Sequence, residues 1–357
     1  MKHPPVKERR SKTASRPDHT LTAKYFQKLS QEQSQPRVAL AEDYRRSLKR
    51  ILSKKKLSSA SEIIGRVQAE YHRTNLGLGP ELSRWKTSHR KAQLTLARTL
   101  PNYRDWKSLA EMFRKKRQLL GKGELAARAL QDIHIDRDDI LPPDREVAAF
   151  TPPFPLYDSH QTQHADLAEV QDNSLEMPGI GHLVTDVAFE HRKDDFIRTD
   201  LAGFGTMDFY DSYRTCGSTF TVPSRGKLKL RATFKNFYNH VVCSTKDHFG
   251  FSEAEIDILL EFIIVVAQPN QVKGALFPLA REGLVSFGSD LSYLFPSLDT
   301  TRPYEIEYRP PEIFTAGTSV NIYAGVRIFI ASVINDMETS ARARLWWQLQ
   351  KLSVAMV

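Results

Sequence analysis

A chain of 357 residues with 41% apolar content has room for two domains, or for one large domain with an arm, and enough hydrophobic side chains for a real core. Two cysteines, Cys216 and Cys243, are too few for a disulfide scaffold and read as free buried thiols. The formal charge of +9 is unevenly divided: residues 1–120 hold 29 Lys+Arg against 10 Asp+Glu, or +19, and residues 121–357 hold 22 against 32, or −10.

Residues 1–20 are basic, proline-bearing and poor in hydrophobics, so they are expected to be a disordered tail that could meet phosphate backbones. Residues 21–135 change to helical spacing. Leu40, Tyr44, Leu48, Ile51 and Leu52 recur on one side, with Arg45, Arg46, Lys49 and Arg50 largely on the other, and Lys54, Lys55 and Lys56 close that segment. Ser59 and Glu62 fit a capping box for a second helix. The run Leu76-Gly77-Leu78-Gly79-Pro80 breaks it, and a third helix is predicted from Glu81 to Thr99. A fourth starts near Asp105, carries Trp106, Leu109, Met112 and Phe113, and ends on the cationic run Arg114, Lys115, Lys116, Arg117. These basic clusters are the candidate nucleic-acid-binding residues; they rest on charge alone, because no zinc-finger, helix-turn-helix or RNA-recognition signature accompanies them.

Residues 136–180 are acidic and rich in proline and read as an extended connector, with the domain boundary near Pro142 or Pro178. From residue 181 to 357 strand signals come at short intervals: His182–Phe189, Gly205–Tyr210, Ser218–Val222, Ala275–Leu279, Gly283–Phe287 and Tyr304–Tyr308. Two long alternating stretches stand at the centre. Leu228, Leu230, Ala232, Phe234 and Tyr238 share one face opposite Lys227, Lys229, Arg231 and Lys235, interrupted by Asn236. Ala254, Ile256, Ile258, Leu260, Phe262, Ile264 and Val266 share another, opposite Glu253, Glu255, Asp257 and Glu261. The two either pair, with cross-strand ion pairs fixing the register, or lie in facing sheets. Ser319–Val333 alternates as well, and its expected partner is the C-terminal segment, where parity slips at Gln350-Lys351 as a β-bulge would require.

Few side chains suggest chemistry. His160 and His164, with Asp158 and Asp166 nearby, are the most metal-like pair if they lie on a helical turn. Glu305 and Glu307 would share one strand face. No nucleophile elbow or nucleotide-binding glycine fingerprint is present. Trp346 and Trp347 are adjacent in a strand, so one points into the core and the other away from it, making them candidate partner-binding residues.

The pattern predicts an α+β chain: a basic helical N-terminal region followed by an antiparallel β-sandwich, jelly-roll-like, with no cofactor and no catalytic centre. Its expected role is assembly or binding. The sandwich would contact partners or neighbouring subunits, and the basic region would contact nucleic acid, another polyanion or an acidic protein surface. A basic arm ahead of a jelly roll is similar in general layout to virus coat proteins. The alternatives are a carbohydrate- or ligand-binding sandwich and a metal-dependent hydrolase built on His160 and His164. With no span of about 18 apolar residues and no apolar segment after the basic N-terminus, a membrane-spanning or secreted chain is not expected. The expected location is cytoplasmic, or alternatively within a virus-like or secreted particle.

Overall fold

A computed structural model describes residues 19–51, 108, 112–113, 115–116, 146–165, 168–191, 204–247, 253–287, 291–295, 297–335 and 337–357. Most of the expected tail, the capping box at Ser59 and Glu62, and the predicted helix from 81 to 99 fall outside these residues. Residues 108, 112–113 and 115–116 are helical, where the fourth helix is expected.

Helix α1 runs from His19 to Ile51. Thirteen strands follow: β1 (Glu146–Phe150), β2 (Leu156–His164), β3 (Ala168–Asp172), β4 (Glu176–Met177), β5 (His182–His191), β6 (Phe204–Thr221), β7 (Leu228–Asp247), β8 (Glu253–Gln268), β9 (Gln271–Phe287), β10 (Leu291–Leu294), β11 (Pro303–Tyr308), β12 (Ser319–Asn335) and β13 (Met337–Met356). They form two sheets. In sheet A the order is β10-β7-β13-β5-β3, with β1 on β13, β11 on β7 and β4 on β5; in sheet B it is β2-β6-β12-β8-β9. Every pairing is antiparallel.

The two central stretches are β7 and β8, and they lie in facing sheets. Their alternating apolar residues meet across the gap: Phe234 stacks on Phe262 with ring centroids 4.4 Å apart. The basic face of β7 therefore finds its carboxylate on β11, where Lys229 and Arg231 reach Glu307 at 3.0 and 3.3 Å. The core that results is continuous, and about 1.5–3 kcal/mol accompanies burial of each large side chain. Cys216 and Cys243 are both free and buried in it.

Four readings change in three dimensions. Residues 146–177, read as part of a connector, carry four strands, each paired into a sheet. The stretches Ala275–Leu279 and Gly283–Phe287, expected as two separate strands, belong to one continuous strand, β9. Ladder register shifts beside Pro278, which sits on a sheet edge where its missing N–H is tolerated. β12 and β13 do not pair: β12 lies between β6 and β8, and β13 lies between β5 and β7. Finally, α1 begins well before Leu40 and continues through Pro36. Its buried stripe is Thr22, Phe26, Ser30, Gln33, Ser34, Arg37 and Ala41. This stripe covers the outer face of sheet B, with Phe26 against Tyr213 and Ala41 against Met207, Phe209 and Phe329.

Candidate functional site

The outer face of sheet A carries an aromatic cluster produced by strand register. In β13, Trp347 points inward and is 1% exposed, meeting Phe262 and Tyr304 edge-on at 5.0 and 5.2 Å. Its neighbour Trp346 points outward and is 39% exposed. Opposite, Trp346 pairs with Tyr238 and Trp347 with Asn236, so Phe237 is an extra residue in β7. That bulge turns Phe237 and Tyr238 both outward, at 38% and 46% exposure. Asn236 takes the inward place and is fixed there by donating to the Asn239 Oδ1 and the Leu298 carbonyl, both at 3.1 Å. A second bulge skips Gln350, between Leu349 and Lys351, at the predicted slip.

Three rings form a contiguous surface. Phe237 stacks against Trp346 at 5.2 Å and against His182 at 5.7 Å, and His182 lies 5.5 Å from Trp346. The indole Nε1–H donates to His182 Nδ1 at 2.7 Å, which fixes the imidazole as the neutral tautomer with its proton on Nε2. Partial burial holds the His182 pKa below the ordinary imidazole value. Tyr238 stacks near His240 at 6.4 Å, and Lys235 Nζ lies 5.1 Å over the Phe237 ring.

Register also fixes what surrounds the rings. Across β5, β13 and β7, the outward rows are Ala188–Arg342–Val242, Asp186–Arg344–His240, Val184–Trp346–Tyr238 and His182–Gln348–Lys235. These twelve positions hold three cations and one carboxylate. Asp186 is shared by Arg342 at 3.7 Å and Arg344 at 3.3 Å, and both guanidinium side chains remain about half exposed. The platform is therefore aromatic at its centre, cationic at its ends, and rich in N–H donors.

Of the basic residues singled out in the sequence, Arg46, Lys115 and Lys116 are exposed; Arg46 lies 4.0 Å from Asp43 and Lys116 covers the ring of buried Phe113 at 4.8 Å. Arg45, Lys49 and Arg50 belong to α1. The side chains of these last three, and Lys54, Lys55, Lys56, Arg114 and Arg117 altogether, lie outside what is described.

His160 and His164 are on a strand, not a helical turn. Four residues of extended chain separate them by roughly 13 Å, against about 6 Å on a helix, so one ion cannot bind both. Both rings pack on aromatics beneath α1: His160 near Phe26 at 6.2 Å and His164 near Phe209 at 6.0 Å. Among the described residues no three His, Cys, Asp or Glu side chains group as a metal site would require. Glu307 is a structural acid. Burial alone would raise its pKa, but hydrogen bonds from Lys229 and Arg309 outweigh this and lower it.

The polar layer between α1 and sheet B has no counterpart among the candidate site residues singled out in the sequence. Arg327 is fully buried, with Nε and Nη2 donating to the two Asp211 oxygens at 2.7 and 2.6 Å and Nη1 to Glu261. Ser30 of α1 also donates to Asp211, at 2.6 Å. The helix closes over this layer, which leaves the sheet A platform as the exposed candidate site.

No family model matches the chain, and no curated protein does. Solved structures with partial likeness include the carbohydrate-binding module TmCBM61 in complex with β-1,4-galactotriose: 9% identity over 49% of this chain and 88% of that one, TM-score 0.14. A family 11 carbohydrate-binding module of the cellulase Lic26A-Cel5E of Clostridium thermocellum shares 12% over 57% and 95%, TM-score 0.16. The enzymatically active domain of bacteriophage CBA120 tailspike protein 4 shares 9% over 52% of this chain and 20% of that one, TM-score 0.12. Scores this low leave the ligands of those proteins with those proteins.

Proposed function

We propose that this chain is a non-enzymatic assembly subunit whose β-sandwich packs against neighbouring copies and whose basic N-terminal region binds nucleic acid. The observation that carries the reading is strand order behind a charge step. If β5, β6, β7, β8, β9, β10 with β11, β12 and β13 are counted as eight successive strands, one sheet reads first-eighth-third-sixth and the other second-seventh-fourth-fifth. This interleaving supports a jelly-roll reading of the sandwich, an architecture used by viral capsid and lectin domains. A +19 region ahead of a −10 remainder adds a polyanion-binding half and an acidic half that self-association can bring together.

The test is gel filtration with light scattering of the full chain, with absorbance at 260 and 280 nm, at low and high salt. Species well above the 40.8 kDa monomer, carrying nucleic acid that high salt removes, are the expected result. Neutralising Lys54, Lys55, Lys56 and Arg114 to Arg117 with glutamine should reduce the bound nucleic acid. A monomer free of nucleic acid at low salt would overturn the reading.

The exposed Trp346 cluster favours a second reading, a carbohydrate-binding sandwich, because flat aromatic faces stack on sugar rings as well as on bases. A glycan array without a hit would remove it.

A further inference from the structure

We infer that the outer face of sheet A is a second nucleic-acid site, one that takes single strands by stacking a base on Trp346, which Phe237 and His182 hold in place, and holding phosphates with Lys235, Arg342 and Arg344. The proposal rests on the nucleic-acid reading above but moves contact from the basic N-terminal region onto the sandwich itself.

Three observations converge on this face. The first is shape. Outward side chains two residues apart on one strand are about 7 Å apart, and neighbouring strands are about 4.8 Å apart. The four rows therefore make a surface about 20 Å long and about 10 Å wide, enough for a few nucleotides laid across β5, β13 and β7. The second is the rings. Trp346, Phe237 and His182 are mutually packed within 6 Å, so each holds the others in place, and Trp346 is also tied by its 2.7 Å hydrogen bond to His182. A stacking face that is already ordered loses little freedom when a base settles on it.

The third observation separates the ligand classes. Sugar hydroxyls both donate and accept, so a neutral saccharide needs acceptors as well as donors. This platform offers mainly donors: Arg342, Arg344, Lys235 and the Nε2–H of His182. Within these four rows the one carboxylate, Asp186, is already shared by two guanidinium groups, and the next on this face, Glu190, lies one row beyond Arg342. A donor-rich, cationic surface with aromatic faces suits a ligand that brings acceptors, negative charge and planar rings. Single-stranded nucleic acid supplies all three, and its bases stack with little sequence preference. A duplex hides its ring faces inside its own stack and would not use the tryptophan.

The experiment titrates the full chain with a fluorescein-labelled twelve-nucleotide oligo(dT), following anisotropy and tryptophan quenching across a salt series. The wild type should bind with quenching. Trp346→Ala should weaken binding roughly tenfold, in line with the loss of one stacked base, and leave the salt slope unchanged. Lys235→Gln with Arg344→Gln should lower the slope of log K against log salt by about 1.4, two phosphate contacts' worth for a single strand. The N-terminal glutamine variant should bind more weakly but keep the quenching. Trp346 lies on an exposed face, so an unchanged melting curve would confirm that the variant is folded. If Trp346→Ala binds as tightly as wild type, the platform assignment falls and the N-terminal reading stands. If the full chain does not bind at low salt, both fall. Tighter binding to a duplex of equal length, or displacement of the oligonucleotide by a neutral galactose hexasaccharide, would overturn the single-strand assignment.

Discussion

Two side chains show how much this fold depends on charge placed inside it. Arg327 stands between Tyr213 and Glu261 across the ladders of sheet B, under α1, and is the shared counter-charge of two buried carboxylates, Asp211 and Glu261. Arg327→Ala would leave Asp211 and Glu261 without that counter-charge. The expected loss is about 3–5 kcal/mol in urea unfolding, whereas replacing all three residues with apolar ones of similar volume should cost far less. Asp172 is a clamp of another kind. It sits on β3 of sheet A, accepts hydrogen bonds from Tyr210 and Gln161 of sheet B, and pairs with Arg214 at 2.7 Å. Burial would raise its pKa, but hydrogen bonds from Ser174 and Tyr210 and the charge of Arg214 outweigh it, so the net shift is downward. A depressed carboxylate contributes stability that is complete above the unfolded value, about 3.9, and is lost as the pH falls through the folded value. Asp172→Asn should therefore lower stability at neutral pH and flatten its fall below about pH 4, as thermal melts over that range would show. His182 shifts in the same downward direction, so its bond from Trp346 is intact at neutral pH and is broken as acid protonates Nδ1.

At the scale of elements, α1 differs most from an ordinary packed helix. Its buried stripe mixes Phe26 and Ala41 with Thr22, Ser30, Gln33, Ser34 and Arg37. Three of these reach carboxylates of sheet B: Thr22 to Asp158, Ser30 to Asp211 and Arg37 to Asp257. Arg37→Ala removes one anchor, but Arg281 still holds Asp257 at 2.7 Å, so no carboxylate is orphaned. The expected cost is about 1 kcal/mol, with faster amide exchange confined to the second half of the helix. The same stripe explains why the docking was not legible in the sequence. An apolar periodicity identifies a helix that buries hydrocarbon, and this one is held substantially by hydroxyls and a guanidinium. The long strands were legible because their inner faces are unbroken runs such as Ile256 to Val266. Their partners were not, since β12 and β13 carry equally apolar inner faces and alternation says nothing of which sheet receives them. The bulge at Gln350 left a trace as a parity slip. The bulge at Phe237 did not, because Phe237 and Tyr238 are both aromatic, and so half of the platform was hidden while Trp346 could be picked out.

At the scale of the whole molecule, sequence neighbours are often divided between sheets. β5 and β6 are successive yet lie in opposite layers, as do β7 and β8, and β12 and β13. Each layer is thus assembled from distant parts of the chain, and each has one face with a distinct role. Sheet B is roofed by α1. Sheet A turns its aromatic and cationic rows outward, where the described residues leave them exposed. Among the described residues no helix is long and apolar enough to cross a membrane.

The placement of β13 has a consequence for how the chain is made. Thr339 to Gln348 fill the slot between His182 to His191 on one side and the outer half of β7 on the other. Until residues 337–356 are available, β5 and β7 each present a long row of unsatisfied amide and carbonyl groups, the kind of border that recruits stray strands. Loops of about 90 residues to β7 and about 150 to β5 must close before that gap is sealed, so refolding from denaturant should be slow, on the millisecond-to-second scale or longer. Supplying a synthetic peptide of residues 337–356 during refolding should compete with the chain's own segment for the vacancy, and the yield of native protein should fall as its concentration rises.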